Sequence, residues 1–167
     1  MIIYEAMLEL GPIFLVSNGD QTRTVFEGLN AGRSLREALS EREREPDAPN
    51  YTPRITGMLD LSGDGSAIAL SILKANRSDP SLTDRSYYYP SSPKAGEGYA
   101  VTTYVGDGNP LPSFLGDPLV LPIEGSPEET LRLYWSSLNE DNRISLAVKE
   151  ISSAGDTSRI LIRNKYE

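Results

Sequence analysis

The chain contains neither cysteine nor histidine. The absence of cysteine excludes disulfide bonds, thiolate zinc sites and cysteine nucleophiles. The absence of histidine removes the usual general base, the commonest zinc and copper ligand, and any Ser-His-Asp triad. An enzyme with this composition must therefore move protons with other groups, of which carboxylates and tyrosine are the first candidates.

Basic residues are also scarce, because 16 Lys and Arg face 24 Asp and Glu and give a formal net charge of −8. A surface of that sign repels a phosphate backbone, although a local basic pocket for one phosphate is still compatible with it. No apolar run approaches the ~18 residues of a membrane span, and residues 1–5 lack the basic region of a signal peptide. We therefore expect a cytoplasmic protein with neither a nucleic-acid nor a membrane partner.

The length and composition favour one folded domain. A chain of 167 residues that is 38% hydrophobic buries roughly 70% of its unfolded surface when it folds. No internal repeat, low-complexity tract or linker interrupts it. The sequence therefore predicts a single domain over residues 1–167.

The hydrophobic pattern predicts an α+β fold with layered sheets, because runs typical of strands cluster mid-chain with antiparallel hairpin connections. Residues 62–65 (Ser-Gly-Asp-Gly) have the composition of a hairpin turn. Capping boxes at Ser34/Glu37 and Ser126/Glu129 predict two helix starts. The seven predicted strands are 13–17, 54–61, 66–73, 86–89, 98–104, 143–150 and 160–162, and the three helices are 21–29, one from residue 34, and 126–138.

The first of three polar clusters spans residues 17–22 (Ser-Asn-Gly-Asp-Gln-Thr), where a strand end becomes a helix start. Free backbone amides beside short polar side chains make such a place a good anion site. The alternative is local: Asn18 or Asp20 caps the helix and Gly19 makes the turn.

The second cluster spans residues 45–54, where three prolines stiffen a loop that carries carboxylates, an amide and an arginine. Arg54 at a strand start can hold a phosphate or carboxylate with two hydrogen bonds, and Glu45 can act as an acid or base. The alternative is a solvated helix end followed by a rigid connection.

The third cluster spans residues 99–114, where hydroxyl and phenol groups, Tyr104 among them, end a strand beside a proline-rich loop. This combination suits a small planar polar ligand. The alternative is that Phe114 and Leu115 fill the core beneath the loop. Two Gly-Asp-Gly repeats lack the spacing and terminal Glu of a calcium loop, so we predict no metal site.

The order of these motifs resembles the archaeal-type IMP cyclohydrolase family and its bacterial IMP cyclohydrolase-like relatives. The matching segments are Tyr4, residues 16–22, 50–55 and 102–104, and residues 45–57 and 109–114 are most similar to the bacterial branch. The resemblance covers nearly the whole chain. Each motif is short, so the specificity comes from their order and spacing.

The resemblance implies a four-layer αββα fold of the N-terminal-nucleophile hydrolase type, without that class's autoprocessing nucleophile. It implies closure of formylated AICAR ribotide to IMP with no metal or organic cofactor. Tyr4 corresponds to the family's active-site tyrosine and Glu45 to its acid/base carboxylate. The predicted substrate-binding residues are Asn18, Asp20, Thr22, Asn50, Thr52, Arg54 and Tyr104.

One departure from the family pattern concerns an upstream segment of several dozen residues, which family members normally carry and which includes a catalytic arginine. The sequence begins at the tyrosine-bearing segment, so we expect a fold that is incomplete at the N-terminus. The alternative function is accordingly an inactive purine-nucleotide-binding or scaffold relative, and a homo-oligomer would cover exposed strands. A third hypothesis is an unrelated acidic α+β enzyme that uses carboxylate and tyrosine catalysis.

Overall fold

The computed structural model describes residues 3–63, 67–91 and 93–166. The chain divides into two compact units, one of residues 1–92 and 99–119 and the other of residues 93–98 and 120–167. In chain order the elements are β1 (Met7–Leu10), β2 (Ile13–Ser17), α1 (Gln21–Asn30), α2 (Leu35–Ala38), β3 (Arg54–Asp60), β4 (Ala67–Ala75), β5 (Thr83–Tyr88), β6 (Glu97–Ala100), β7 (Leu119–Pro122), α3 (Pro127–Ser137), β8 (Ser145–Ile151) and β9 (Ser158–Asn164).

The first unit is built on a five-stranded sheet whose strands follow the chain order β1 to β5. Every neighbouring pair is antiparallel, and the register sets Leu15 opposite Met58 and Met58 opposite Ala69. These side chains face the two helices, because alternate residues of a strand share one face of the sheet. The resulting core consists of Leu15, Val25, Leu35, Leu39, Ala69 and Leu73.

Helices α1 and α2 approach each other closely at Gly28. A Cβ atom added there would lie 2.5 Å from the Cβ of Ala38, which is shorter than any ordinary carbon contact. Gly28 and Ala38 are both buried. The small residues at this contact therefore allow α1 and α2 to pack together over the sheet.

The two predicted capping boxes are confirmed. The Ser34 hydroxyl accepts from the backbone N–H of Glu37, whose side chain accepts from the N–H of Ser34. Ser126 and Glu129 form the same pair at α3, with Pro127 at the first helical position. Each box satisfies two of the free amides at a helix start.

The second unit contains the antiparallel hairpin β8–β9, against which α3 packs. Trp135 on α3 is buried, and the guanidinium groups of Arg143 and Arg163 lie 4.7 and 5.2 Å from its ring centre. Cation–π contacts of this kind add to the burial of the ring. Strands β6 and β7 form a separate two-stranded sheet.

The α+β prediction is confirmed, since the structure combines mostly antiparallel sheets with few helices. The predicted strand 98–104 is too long: β6 ends at Ala100, and Tyr104 instead forms an isolated bridge with Ser113 in the following loop. Strands β1 and β7 were not predicted, because each is a four-residue run without clear alternation. The predicted turn at 62–65 lies partly outside the described residues, although β3 and β4 pair as expected.

Within the described ranges, no helix is both long enough and apolar enough to cross a membrane. The structure divides the chain into two compact units. This division does not test the single domain expected over residues 1–167, which stays a prediction.

Candidate functional site

A pocket of about 200 Å³ lies in the first unit at the end of β2. Its lining includes both predicted catalytic residues, Tyr4 and Glu45. Three of the predicted substrate-binding residues, Asn18, Asp20 and Arg54, line it with them, and Gly19 completes it. The structure thus brings together residues from three separate segments of the chain.

Tyr4 lies at this pocket because the segment between it and β1 is held in place at Glu5 and at Ala6. The Glu5 carboxylate pairs with Arg23 on α1, where Arg23 Nε lies 2.9 Å from Glu5 Oε2. The next carbonyl, that of Ala6, accepts a 2.9 Å hydrogen bond from the backbone N–H of Ser17. The Tyr4 hydroxyl makes no hydrogen bond within the part of the chain that the structure describes, so it is available to a ligand.

Arg54, the first residue of β3, is buried beside the pocket with most of its donors engaged. Its Nε donates to the carbonyl of Glu43 at 2.8 Å. Its Nη1 lies 2.5 Å from Asp20 Oδ1, 2.9 Å from Gln21 Oε1 and 2.8 Å from Glu45 Oε1. Among the described residues Nη2 has no hydrogen-bond partner, so its two N–H groups are the donors that Arg54 can offer to an anion.

Glu45 is held by its backbone rather than by a secondary-structure element. Its N–H donates to the carbonyl of Thr52 at 3.0 Å and closes the loop between them. Oε1 faces Arg54, while Oε2 accepts no hydrogen bond from the described residues, and about a third of the side chain is exposed. This arrangement leaves one carboxylate oxygen free to accept a proton next to a fixed positive charge.

Asp20 is shared between two arginines. Partial burial acts to raise the pKa of Asp20, but the hydrogen bond from Arg42 and the charges of Arg54 and Arg42 outweigh it and hold that pKa below its usual range. Asp20 therefore stays ionised near neutral pH. It neutralises part of the arginine charge, which leaves the pocket close to electrically balanced.

Asn18 lines the pocket, but its side chain is fully engaged in the protein. Its Oδ1 accepts from Gln21 Nε2 at 3.0 Å and from the N–H of Ile55 at 2.9 Å. Its Nδ2 donates to the carbonyl of Pro53 at 2.9 Å and to Thr103 Oγ1 at 3.4 Å. Because an asparagine side chain has two acceptor positions and two donors, Asn18 braces β2, β3 and the Thr103 loop rather than offering a free group.

Gly19 lies close to three polar side-chain ends. A Cβ atom added at Gly19 would lie 2.5 Å from Gln21 Oε1, 2.9 Å from Arg54 Nη1 and 3.3 Å from Glu45 Oε1. A side chain at residue 19 would therefore force the hydrogen-bonded ends of Gln21 and Arg54 to shift.

Two expectations at the start of α1 need correction. Thr22 does not face the pocket, since it is completely buried and its hydroxyl donates to the carbonyl of Gly19 at 2.9 Å. Asp20 occupies the N-cap position of α1 without making a side-chain cap, because its carboxylate is drawn to Arg42 and Arg54. The Asn18 side chain does not cap α1 by bonding to its free backbone amides either, because it bonds Gln21, Ile55, Pro53 and Thr103 instead.

The remaining predicted residues, Asn50, Thr52 and Tyr104, lie outside the pocket lining and form a network between two loops. The Thr52 and Tyr104 hydroxyl oxygens are 2.7 Å apart, and Thr52 also bonds the Asp47 carboxylate. Asn50 Oδ1 accepts from the N–H of Leu111 at 3.2 Å. Burial acts to raise the pKa of Asp47, but the hydrogen bonds from Thr52 prevail and lower it. This network shapes the loop that carries Glu45.

Sequence reasoning missed Gln21, the first residue of α1. Gln21 is completely inaccessible to solvent and bonds both Asn18 and Arg54. One feature of the sequence could have indicated Gln21. Its amide side chain comes directly after the polar turn, at the start of a helix, a position that usually faces solvent.

A second, more apolar pocket of about 330 Å³ shares Asn18 with the first. Its wall includes Val16, Ile55, Leu70 and Tyr99. A polar pocket beside an apolar one is the arrangement expected for a ligand with a charged or polar part and a flat ring. The described residues contain no group of three or more Asp or Glu that could hold a metal ion.

These features define the class of protein: an α+β protein with a small polar pocket in which an arginine, a carboxylate and a phenol meet. The family model described as IMP cyclohydrolase-like protein matches residues 1–156. The chain therefore belongs to the IMP cyclohydrolase-like family. No curated protein matches the sequence.

Proposed function

We propose that the chain is an IMP cyclohydrolase, which closes formylated AICAR ribotide to IMP in purine biosynthesis. The observation that carries this proposal is that Tyr4, Glu45 and Arg54 line one pocket although they come from distant parts of a chain of this family. Two groups able to exchange protons thus stand beside one fixed cation.

The reaction suits a pocket without histidine or cysteine. The carboxamide nitrogen of the substrate attacks the carbon of a formyl group already attached to the same ring, and a C–N bond forms. The attacking nitrogen and the formamido nitrogen each give up one proton. A C=N bond forms to the formamido nitrogen as the C–O bond breaks, and the former formyl oxygen leaves with the two protons as water. Because the substrate holds both reacting groups together, the protein mainly has to orient them, transfer protons and stabilise negative charge on oxygen.

The roles follow from which atoms are free. Glu45 Oε2 accepts the proton released by the attacking nitrogen. The Tyr4 hydroxyl donates to the oxygen that leaves as water. Arg54 Nη2 donates hydrogen bonds to an anionic oxygen of the ribotide, with Asp20 and Glu45 fixing the other guanidinium nitrogen.

The two adjoining pockets divide the ligand between them. A volume of about 200 Å³ around Tyr4 and Arg54 is smaller than the usual ~300–1,000 Å³ of a small-molecule site. The apolar pocket beside it, with Gly57 and Tyr99 in its wall, adds about 330 Å³. We assign the polar atoms of the substrate to the first pocket and one flat face of its ring to the second.

The finer structural expectations belong to the same proposal. The fold that belongs to this proposal is a layered αββα arrangement of the N-terminal-nucleophile hydrolase type. The reaction as written needs no metal or organic cofactor. Purine synthesis from a soluble ribotide also favours the cytoplasm as the place of action, and a homo-oligomer remains compatible with the proposal.

The direct test is the rate of IMP formation from formylated AICAR by the chain and by Glu45→Gln, followed by absorbance. Loss of a general acid or base usually costs roughly 10²–10⁴-fold in rate, and we expect Glu45→Gln to fall in that range. Glu43→Gln is the matched control: it makes the same chemical change two residues away on an exposed side chain, and it should keep full activity.

Binding is measured separately by the shift in unfolding midpoint with IMP or AICAR. A ligand at 100 times its Kd stabilises the folded state by roughly 2.7 kcal/mol. Glu45→Gln activity equal to that of the wild type would contradict the assigned role of Glu45. IMP binding without any turnover would instead favour the alternative function, a nucleotide-binding relative, and no shift with either ligand would contradict both.

A further inference from the structure

Gln21 is a polar side chain with no access to solvent. Its relative exposure is 0%, and it lies among the largest fully buried side chains of the chain. Burial of an amide is unfavourable unless its donors and acceptor find partners. The partners that Gln21 finds are therefore the reason for its position.

Those partners are Asn18 and Arg54, which line the Tyr4 pocket, and the backbone carbonyl of Ile55. Gln21 Nε2 donates to Asn18 Oδ1 at 3.0 Å and to the carbonyl of Ile55 at 3.1 Å. Gln21 Oε1 accepts from Arg54 Nη1 at 2.9 Å. One buried amide thus connects the end of β2, the start of β3 and the guanidinium of Arg54.

The direction of these bonds fixes the orientation of both partners. Arg54 Nη1 is held by Gln21, Asp20 and Glu45, and Nε by the carbonyl of Glu43, so the guanidinium plane is fixed while Nη2 has no hydrogen-bond partner among the described residues. At Asn18, donation from Gln21 Nε2 identifies the atom it contacts as the oxygen, so Nδ2 must point to Pro53 and Thr103.

We infer that Gln21 is a positioning residue, which holds the guanidinium plane of Arg54 with Nη2 free for the ligand and holds Asn18 as a brace between the strands. The inference rests on the proposed function for the identity of the ligand, an anionic purine ribotide. It assigns to Gln21 no contact with that ligand. Asp20 and Glu45 alone do not replace it, because both carboxylates are partly exposed while Gln21 is the uncharged, solvent-free partner.

The chain offers an unusually direct probe, because Gln21 is its only glutamine. Labelling with side-chain ¹⁵N-glutamine gives one pair of amide proton signals in an NMR spectrum. We expect this pair to exchange slowly with solvent and to shift in Arg54→Lys, which keeps the charge but loses the planar fork. A pair that exchanges as fast as a free amide, or that is unmoved in Arg54→Lys, would overturn the inference without any reference to activity.

The functional variant is Gln21→Met, which keeps approximate length and removes all three hydrogen bonds. We expect the Kd and KM for the ribotide to rise about tenfold or more. The kcat at saturation should change much less, because Tyr4 and Glu45 are untouched. Val25→Ala is the control for destabilisation alone: it removes buried core volume on the same helix and should leave KM unchanged.

The outcomes separate this inference from the proposed function. A wild-type chain without activity or IMP binding would contradict the proposed function, while the NMR comparison would still test whether Gln21 holds Arg54. Unchanged KM and Kd in Gln21→Met, in a chain that does bind IMP, would overturn the positioning role. An equal rise of KM in Val25→Ala would do the same, because general destabilisation would then explain the effect.

Discussion

Replacing Gly19 by alanine tests whether close approach of the backbone to the Arg54–Glu45 pair is what the pocket needs. The φ angle of Gly19 is not in the left-handed region, so an alanine is acceptable to the backbone itself. On that ground alone Gly19→Ala should stabilise the protein by ~0.4–1 kcal/mol, because it restricts the unfolded chain. The structure instead predicts that Gly19→Ala lowers the free energy of unfolding.

The added methyl group would lie 2.5 Å from Gln21 Oε1 and 2.9 Å from Arg54 Nη1. Forcing a methyl group into such a place usually costs ~1–3 kcal/mol. Subtracting the entropic gain leaves a net loss of up to roughly 2.6 kcal/mol in the free energy of unfolding, and about 1.3 kcal/mol at the middle of both ranges. The displaced guanidinium should also weaken binding of IMP by roughly ten- to a hundredfold, since a hydrogen bond to a charged group contributes ~1.5–3 kcal/mol and ~1.4 kcal/mol is tenfold in affinity.

Denaturant unfolding gives the stability change, and calorimetric titration with IMP gives the affinity. Gly28→Ala is the matched control, because its methyl group would meet Ala38 at the helix contact and no residue of the Tyr4 pocket. We expect it to lower stability and leave the affinity alone. A Gly19→Ala protein that is more stable than the wild type, or that binds IMP equally well, would refute the reasoning.

Two further substitutions test the charges and the brace. In Asp20→Asn the stability loss at pH 7 should be below about 1 kcal/mol, since the Asp20 side chain is half exposed. Although partial burial acts to raise the native pKa of Asp20, the hydrogen bond from Arg42 and the arginine charges lower it. The difference from the wild type should therefore persist at neutral pH and disappear only as acid protonates Asp20 in the folded protein, which denaturant unfolding at a series of falling pH values measures. Asn18→Asp keeps the acceptor but turns the donor that faces the Pro53 carbonyl into a carboxylate oxygen, so we expect a loss of at least ~1–3 kcal/mol in the same assay, and a variant as stable as the wild type would contradict the brace.

The parts of the fold that local sequence determines were predictable. A capping box needs only residues three apart, and both boxes are present where Ser34/Glu37 and Ser126/Glu129 predict them. The pairing of β3 with β4 follows from two apolar runs joined by turn residues. Strand β1 escaped prediction because Met7–Leu10 is short and lacks regular alternation, and it forms by pairing with β2.

The sequence allowed a prediction of which residues line the pocket, but not of which of their hydrogen-bonding atoms are free. Tyr4, Glu45 and Arg54 were chosen for their groups and for a family resemblance, and they line one pocket. Which donors remain free depends on contacts between distant segments. The Thr22 hydroxyl bonds the carbonyl of Gly19, and all hydrogen-bonding groups of the Asn18 side chain are engaged. Gln21 bonds an arginine 33 residues away. Local propensity predicts none of these contacts.

The division of the chain into two units has a consequence for how this protein can change over time. Tyr4, Asn18, Asp20, Glu45 and Arg54 all belong to the unit of residues 1–92 and 99–119. The unit that carries the pocket must therefore preserve two things at once as its sequence changes, its fold and the orientation of single hydrogen-bonding atoms.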